Sequence, residues 1–433
     1  MKYDVIIIGG GIAGLTCGIG CAEAGLSCAI ISAGMSALHF SSGSIDFLGY
    51  RDDGEIVENP HAYLDEFIAH HPRHPYAKCG AETVRSSLSF IRDQLSRERL
   101  ELFNNGEENH FHVTALGTLK PTFFSQRSVF NERIREAFTS HRKIAILNFR
   151  GFRDFYPAMT ADNLRKNSLF KDIEIIAGTI TLPAPRTPGR NPFEFRSIDI
   201  ARIFDSEKYL PRIADEIRRA ADGARLIGLP AFIGITRYNK IHERLEELTG
   251  ALIYEIPTLP PSILGMRIDT ALKTRFAALG GVFISGDRVN GGEIADGALD
   301  HIHTVNHRTM RHHARWYVLA SGHFFSGGNV SEVTGIREPI WGLSVRGPVD
   351  RSAWRSPEFF SAHSHPFLEY GVITDESFRP MDPGGATVRN LFCVGAVLAD
   401  YNPIREGTGG GVAVASGYAA ARRIIDSITG AAS

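Results

Sequence analysis

A chain of 433 residues is long enough for two or three domains, or for one large domain carrying insertions, and 43% hydrophobic residues suffice to fill a core. Lys and Arg number 47 against 48 Asp and Glu, a formal charge of −1, so neither a nucleic-acid footprint nor a charged tail is encoded. The five cysteines (Cys17, Cys21, Cys28, Cys79 and Cys393) form no C-x-x-C pair, which argues against an iron–sulfur cluster or a zinc site and fits a reducing cytoplasm.

Tyr3 to Ile8 is a β-branched apolar run that reads as a buried parallel strand. Lys2 before it mimics a signal peptide, but Asp4, the glycines and Glu23 argue against one. Gly9, Gly11 and Gly14 then spell G-x-G-x-x-G, Ile12 to Ala24 follows as a helix stopped by Gly25, and Leu26 to Ile31 is a second strand. The unit is βαβ, the context a dinucleotide fingerprint needs. Gly9 allows the tight turn, Gly11 the approach of a phosphate and Gly14 close helix–strand packing. The helix start offers free N–H groups to that phosphate. The fingerprint usually ends its second strand on an acid that holds a ribose hydroxyl; here the place falls on Ser32, so a phosphate is signalled more firmly than an adenosine.

Ala33 to Leu48 is a Ser/Gly-rich loop, too polar for a core element, whose Ser36, Ser41, Ser42, Gly43 and Ser44 suit the wrapping of a cofactor. Residues 50 to 80 read as loop with one short helix, Ala62 to Ala69, and His61, His70, His71 and His74 there read as solvated. Glu82 to Arg99 carries apolar residues at helical spacing. Paired strands around Gly117 (His110 to Phe124), a strand at Lys143 to Phe149, a helix at Ala158 to Lys166 and a strand at Ile173 to Leu182 follow. After a proline-rich loop, Thr181 to Pro192, come helices at Asp199 to Phe204 and Tyr209 to Ala221, a strand at Arg225 to Leu229 and a helix at Ile241 to Leu248. Residues 51–255 are thus expected to be an α+β substrate or cap domain inserted into a discontinuous cofactor domain, 1–50 plus 256–433.

The Rossmann-like pattern returns with a helix at Leu264 to Leu279, a strand at Val282 to Ile284, a hairpin from Arg288 to His307 and a strand at Ala314 to Ala320 running into Ser321-Gly322. Five histidines lie in 301–313, but no carboxylate or Cys reads as suitably placed for a metal, and none is expected. Asn390 to Gly395 is a short strand ending in Gly. Gly407, Thr408, Gly409, Gly410 and Gly411 then open an Ala-rich helix, Val412 to Ile425. No run of about 20 apolar residues occurs, so no transmembrane segment is expected.

Two glycine-rich helix starts at opposite ends of a chain can serve one ligand. The first faces a phosphate. The second faces the ring of a flavin, where it stabilises the negative charge that reduction places near N1 and O2. The expected fold is α/β, with a Rossmann-like (glutathione-reductase-type) flavin-binding domain.

DVIIIGGGIAGL, the Ser/Gly loop, YVLASG, GVITDE and NLFCVGAV before GTGGGVAVASG resemble the fumarate-reductase-like flavoproteins in order and content. More closely, GMSALHFSSGSIDFL, TLPPSILGMRI, VLASGHFFSGG, GIREPIWGL, GVITDESFRP and GTGGGVAVAS are similar to the B-subunit family of anaerobic glycerol-3-phosphate dehydrogenases, along essentially the whole chain. The resemblance implies oxidation of sn-glycerol 3-phosphate to dihydroxyacetone phosphate with electrons passed to quinone. It also implies FMN as cofactor and two companions in a complex. One is a catalytic flavoprotein subunit. The other is an iron–sulfur membrane anchor that holds the complex on the cytoplasmic face of the inner membrane. The missing acid at Ser32 favours FMN over FAD. Ala396, where the wider superfamily carries Asp or Glu, is a second departure and leaves FAD as the alternative.

Oxidising a secondary alcohol needs a hydride acceptor and a base, and a phosphate tail wants Arg. His323 is the expected base, and Arg405, Arg267, Arg337 and Arg379 are the candidate substrate cations. The expected cofactor residues are Gly9, Gly11, Gly14, Ser32, Ser41, Ser42, Gly43, Gly395, Thr408, Gly409, Gly410 and Gly411. A flavin-bearing electron relay or scaffold next to a catalytic partner, and a fumarate-reductase-like dicarboxylate enzyme, are the alternatives.

Overall fold

In the computed structural model, which describes residues 2–183, 191, 194–361 and 364–430, the N-terminal apolar run forms β1 (Lys2–Ile8). The glycine turn leads into α1 (Ile12–Glu23), and Gly25, at φ +84°, lets the chain leave the helix in the left-handed region toward β2 (Cys28–Ser32). Val5, Ile6, Ile7 and Ile30 are fully buried, as a parallel strand covered on both faces requires. The Ser/Gly loop after β2 departs from the expectation of an all-polar segment. It inserts Ile45, Phe47 and Leu48 into the core, between serines that stay polar-bonded.

α2 (Pro60–His70), α3 (Pro75–Cys79) and α4 (Ala81–Arg97) come next. The first two each begin on a proline, where its missing N–H costs nothing, and Asn59 and His74 cap those starts. The histidines read as solvated therefore divide: His74 is only 1% exposed, because capping α3 draws it inside. α4 buries Val84, Leu88, Ile91 and Leu95, the stripe its spacing predicts.

The middle of the chain holds two small antiparallel pairs and a parallel sheet. β3 (Leu102–Phe103) pairs with β6 (Ser125–Gln126), and β4 (His110–Val113) with β5 (Leu119–Thr122), the latter hairpin turning at Gly117. α5 (Glu132–Ser140), begun by the Asn131 cap, has no counterpart in the sequence reading. Then β7 (Lys143–Phe149), α6 (Pro157–Arg165), β8 (Glu174–Ile180), α7 (Ser197–Phe204), α8 (Leu210–Ala221), β9 (Leu226–Pro230), α9 (Tyr238–Thr249) and β10 (Leu252–Ile256) follow. Their four strands form one sheet, order β10-β9-β7-β8, parallel throughout. Most of the expected Thr181–Pro192 loop lies outside the described residues.

α10 (Ile263–Ala278) returns the chain to the first sheet. β11 (Val282–Ser285), β12 (Val289–Ala295), β13 (Ala298–Thr304) and β14 (His312–Leu319) follow. Two short pairs come next, β15 (Val330–Glu332) with β16 (Gly335–Arg337) and β17 (Val345–Arg346) with β18 (Gly371–Val372). β19 (Leu391–Cys393) and α11 (Gly409–Thr429) close the fold. The first sheet runs β11-β2-β1-β14-β13-β12, with β19 also on β14. Asp300 and Asp287 do meet the histidines of this region, at 2.9 Å from His301 and 3.1 Å from His307, so carboxylates are nearer to them than the sequence suggests. Among the described residues no group of three His, Cys, Asp or Glu is placed to hold a metal ion, and no helix is long and apolar enough to cross a membrane.

One core lies around the first sheet and takes in α2 to α4; a second surrounds the parallel sheet of residues 143–256. Two buried histidines on β4 make the fold acid-sensitive. Burial pushes His110 down to about 3 and His112 down to about 4. Below the ordinary histidine value of about 6.5 the unfolded chain therefore takes up protons that the folded chain refuses. Stability falls as the pH drops from about 6.5 toward 4. Thermal unfolding followed across that range should show this slope, and His112→Asn should flatten it.

Candidate cofactor site

The three fingerprint glycines do different work. Gly9 sits at φ +117°, and a Cβ on it would overlap the Ala320 carbonyl oxygen. A Cβ on Gly14 would overlap the Gly9 carbonyl oxygen. Both are needed for β1, α1 and β14 to close on one another. Gly11 differs: its φ of −81° suits any residue, and no atom lies within 4 Å of where its Cβ would stand. That open space lies at the start of α1, which has no side-chain cap. Backbone N–H groups of a helix start facing open space form an anion cradle.

The far end of the chain folds back onto this turn. A Cβ on Gly395, at φ +73°, would lie 2.7 Å from the Ala13 Cβ, and one on Gly417 would overlap the Ala13 carbonyl oxygen. Hence α1 and α11 cross in close contact, and only glycine permits it. Gly395 N–H donates to Ser416 Oγ at 2.9 Å, which fixes the end of β19 on α11.

The Ser/Gly loop completes the enclosure. Gly411 N–H donates to the Asp46 carbonyl oxygen at 2.7 Å, and a Cβ on Gly410 would lie 3.1 Å from Asp46 N. The Asp46 carboxylate is itself held by Lys120 Nζ at 2.6 Å and Thr122 Oγ1 at 2.7 Å, both from β5. Ser42 and Ser44 share a hydrogen bond of 2.6 Å, and Gly43 N–H donates to Ser41 Oγ at 3.2 Å. Thr408 is fully buried and donates through Oγ1 to Glu406 Oε2 at 2.8 Å. His74 Nδ1 accepts from Tyr76 N–H, so its proton is on Nε2, which donates to Glu406 at 3.2 Å. This chain of bonds sets the start of α11, and sequence reasoning missed it because His74 and Glu406 lie 332 positions apart.

Ser32 is 6% exposed and its hydroxyl donates to the Gly34 carbonyl at 3.1 Å. The carboxylate that the following loop does meet, Asp269, is spent on Ser36 Oγ, His39 Nε2 and Lys273 Nζ. Beyond β14, the hydroxyl of Ser321 and both side-chain polar atoms of Asn329 are buried without partners. They flank Gly328, whose Cβ would lie 2.8 Å from Ser321 Oγ. A buried polar group left unpaired costs about 1–3 kcal/mol. A ligand bearing hydroxyl and phosphate oxygens, as a flavin does, would satisfy such groups, and the residues present fit one.

The five expected catalytic residues scatter. His323 lies just past β14, and its Nε2–H donates to the Tyr370 carbonyl at 2.8 Å. Burial holds its pKa below the ordinary histidine value against the pull of that carbonyl. Arg405 lies three residues before Thr408 and gives Nη2 to the Asp52 carbonyl at 2.8 Å. The other three do not join them. Arg267 is wholly buried in the second core, where its guanidinium is spent on Glu255 and on the carbonyls of Ile233 and Gly234. It is a structural cation there, with no face left for a substrate. Arg337 is exposed and pairs with Glu332. Arg379 pairs with Asp375 at 2.9 Å and lines a separate cavity with Trp316 and Phe392.

Comparison with known proteins gives the family. Residues 4–412 match the FAD binding domain family. The B subunit of the anaerobic glycerol-3-phosphate dehydrogenase of Vibrio vulnificus is 41% identical over 425 residues, covering 98% of this chain and 96% of that protein. The protein of the same name from Aliivibrio fischeri is 39% identical over 440 residues, covering 99% and 96%. Among solved structures, 3-ketosteroid delta1-dehydrogenase from Sterolibacterium denitrificans aligns with a TM-score of 0.47 at 12% identity, over 98% of this chain and 100% of that one.

Proposed function

This chain belongs to the B-subunit family of anaerobic glycerol-3-phosphate dehydrogenases, and from that premise we propose that it is a flavin-carrying member of a complex that oxidises sn-glycerol 3-phosphate to dihydroxyacetone phosphate and delivers the electrons to quinone. The observation that carries the reading is the convergence of the open α1 start, Gly395, the Ser/Gly loop and the α11 start on one place. A flavin bound there would supply the two-electron acceptor.

The backbone N–H groups of Gly11, Ile12 and Ala13 would hold its phosphate, and those of Gly409 and Gly410 its ring. His323 is the candidate base. Its Nε2 proton is committed to Tyr370, so the lone pair on Nδ1 is the one that can accept a proton, and burial keeps the ring neutral. Arg405 is the candidate for the substrate phosphate. FMN is favoured over FAD, because Ser32 stands where a ribose-binding acid would and Asp269 is already spent. The companions proposed are a catalytic flavoprotein subunit, and an iron–sulfur protein that anchors the assembly on the cytoplasmic face of the inner membrane. Residues 1–50 with 256–433 are proposed as the flavin-binding domain and 51–255 as the inserted substrate domain, whose first helices, α2 to α4, pack into the core of the first sheet.

Two measurements test this. Denaturing the purified chain should release FMN on chromatography; release of FAD overturns the cofactor assignment. Anaerobic addition of glycerol 3-phosphate should bleach the flavin of the isolated chain. Bleaching only in the assembled complex would make this chain an electron relay instead.

A further inference from the structure

Arg379, displaced from the cofactor site, lies in an arginine-rich cavity of about 300 Å³ shared with Arg389 and Arg423. That volume is at the lower end for a small-molecule site. Arg423 lies twelve residues beyond Gly411 on α11, about 18 Å of helix, so the cavity is well removed from the proposed flavin. The three cations are unequally engaged. Arg379 gives Nε to Asp375, and its two terminal nitrogens have no partner among the described residues. Arg423 gives Nη2 to the carbonyls of Lys78 and Glu376, while its Nη1 is buried without a partner. Arg389 is exposed and makes no ion pair among the described residues. Ser377 and Ser427 share the lining, the Ser427 hydroxyl donating to the Arg423 carbonyl at 2.7 Å, and Asp426 is the one carboxylate in it. Three guanidiniums, that of Arg379 paired with Asp375, face the single lining carboxylate of Asp426, and the Ser377 hydroxyl shares the lining, which makes a donor set for an oxyanion, since guanidinium matches phosphate oxygens in pairs.

We propose that this cavity is a second anion site, taking inorganic phosphate or a small phosphomonoester, with Arg389 and Arg423 as its principal ligands. Trp316 forms part of the wall and reports on it. The test uses the flavin-loaded chain, so that the α1 start is already filled, and titrates inorganic phosphate by calorimetry and by tryptophan fluorescence. Saturable binding is expected. Arg389→Gln, which removes no internal bond, should weaken it at least tenfold with flavin content unchanged, and Trp316→Phe should remove the fluorescence response. No saturable binding by the wild-type chain overturns the proposal, as does an Arg389→Gln variant that binds phosphate as tightly as the parent.

Discussion

A Gly11→Val variant should fold like the parent and purify with at least about tenfold less flavin, a loss of about 1.4 kcal/mol or more in binding. The added side chain enters space with no protein atom within 4 Å of its Cβ, on a backbone at φ −81° that valine tolerates. It clashes with nothing in the chain and only with what approaches the start of α1. Melting temperature and flavin absorbance, measured on the same preparation, separate the two effects. Gly14→Ala should behave differently. Its methyl would overlap the Gly9 carbonyl, so it should lower the melting temperature as well as the flavin content. A Gly11→Val protein with full flavin would mean that the phosphate does not lie at this turn.

Replacing Arg267 by Met should cost about 3–5 kcal/mol of stability, because it leaves Glu255 as an uncompensated buried charge. Both side chains are wholly inaccessible, and the pair is closed at 2.6 Å with Ser128 Oγ donating to the same carboxylate. The double variant Arg267→Met/Glu255→Leu should recover most of the loss, since no lone charge then remains. The pair also carries a pH signature. Burial raises the Glu255 pKa, but the Arg267 guanidinium and the bonds from Ser128 and Ile233 outweigh it and leave the group below its ordinary value. A carboxylate lowered by folding stabilises fully above its unfolded pKa, and that contribution is lost as the pH falls through the folded value. The wild type should therefore lose stability on acidification below about pH 4.3 through this group, and the double variant should lose less. A double variant no more stable than Arg267→Met would show that the carboxylate, once alone, is tolerated.

The parts legible in the sequence are those whose cause is local. The run Tyr3 to Ile8, the order strand–glycine turn–helix that leads into α1, and the stripe on α4 show in patterns only a few residues long, as does the glycine cluster that opens α11. What the sequence hid depends on partners far along the chain. Arg267 reads as a free cation until β10 folds and brings Glu255 against it. His74 reads as solvated until Glu406 arrives. Ile45 and Phe47 look like stray apolar residues in a serine loop until α11 packs against that loop. α5 is only nine residues long and buries Ile134 and Ala137 alone, so its amphipathic face is too short to stand out. The candidate catalytic residues were the least legible, since proximity of an arginine to a motif in sequence says little about which way its guanidinium turns.

The crossing of α1 and α11 sets an order of events during synthesis. The glycine turn is made long before α11, yet Ala13 is covered by Gly395 and Gly417, and Asp46 by Gly411, all supplied only by the distant segment that ends in α11. The second core, complete by Arg267, can form before α11 is made. The packing of α1 on α11 must wait for α11. On the proposed reading, flavin loading therefore follows the docking of α11, which covers Ala13 on α1.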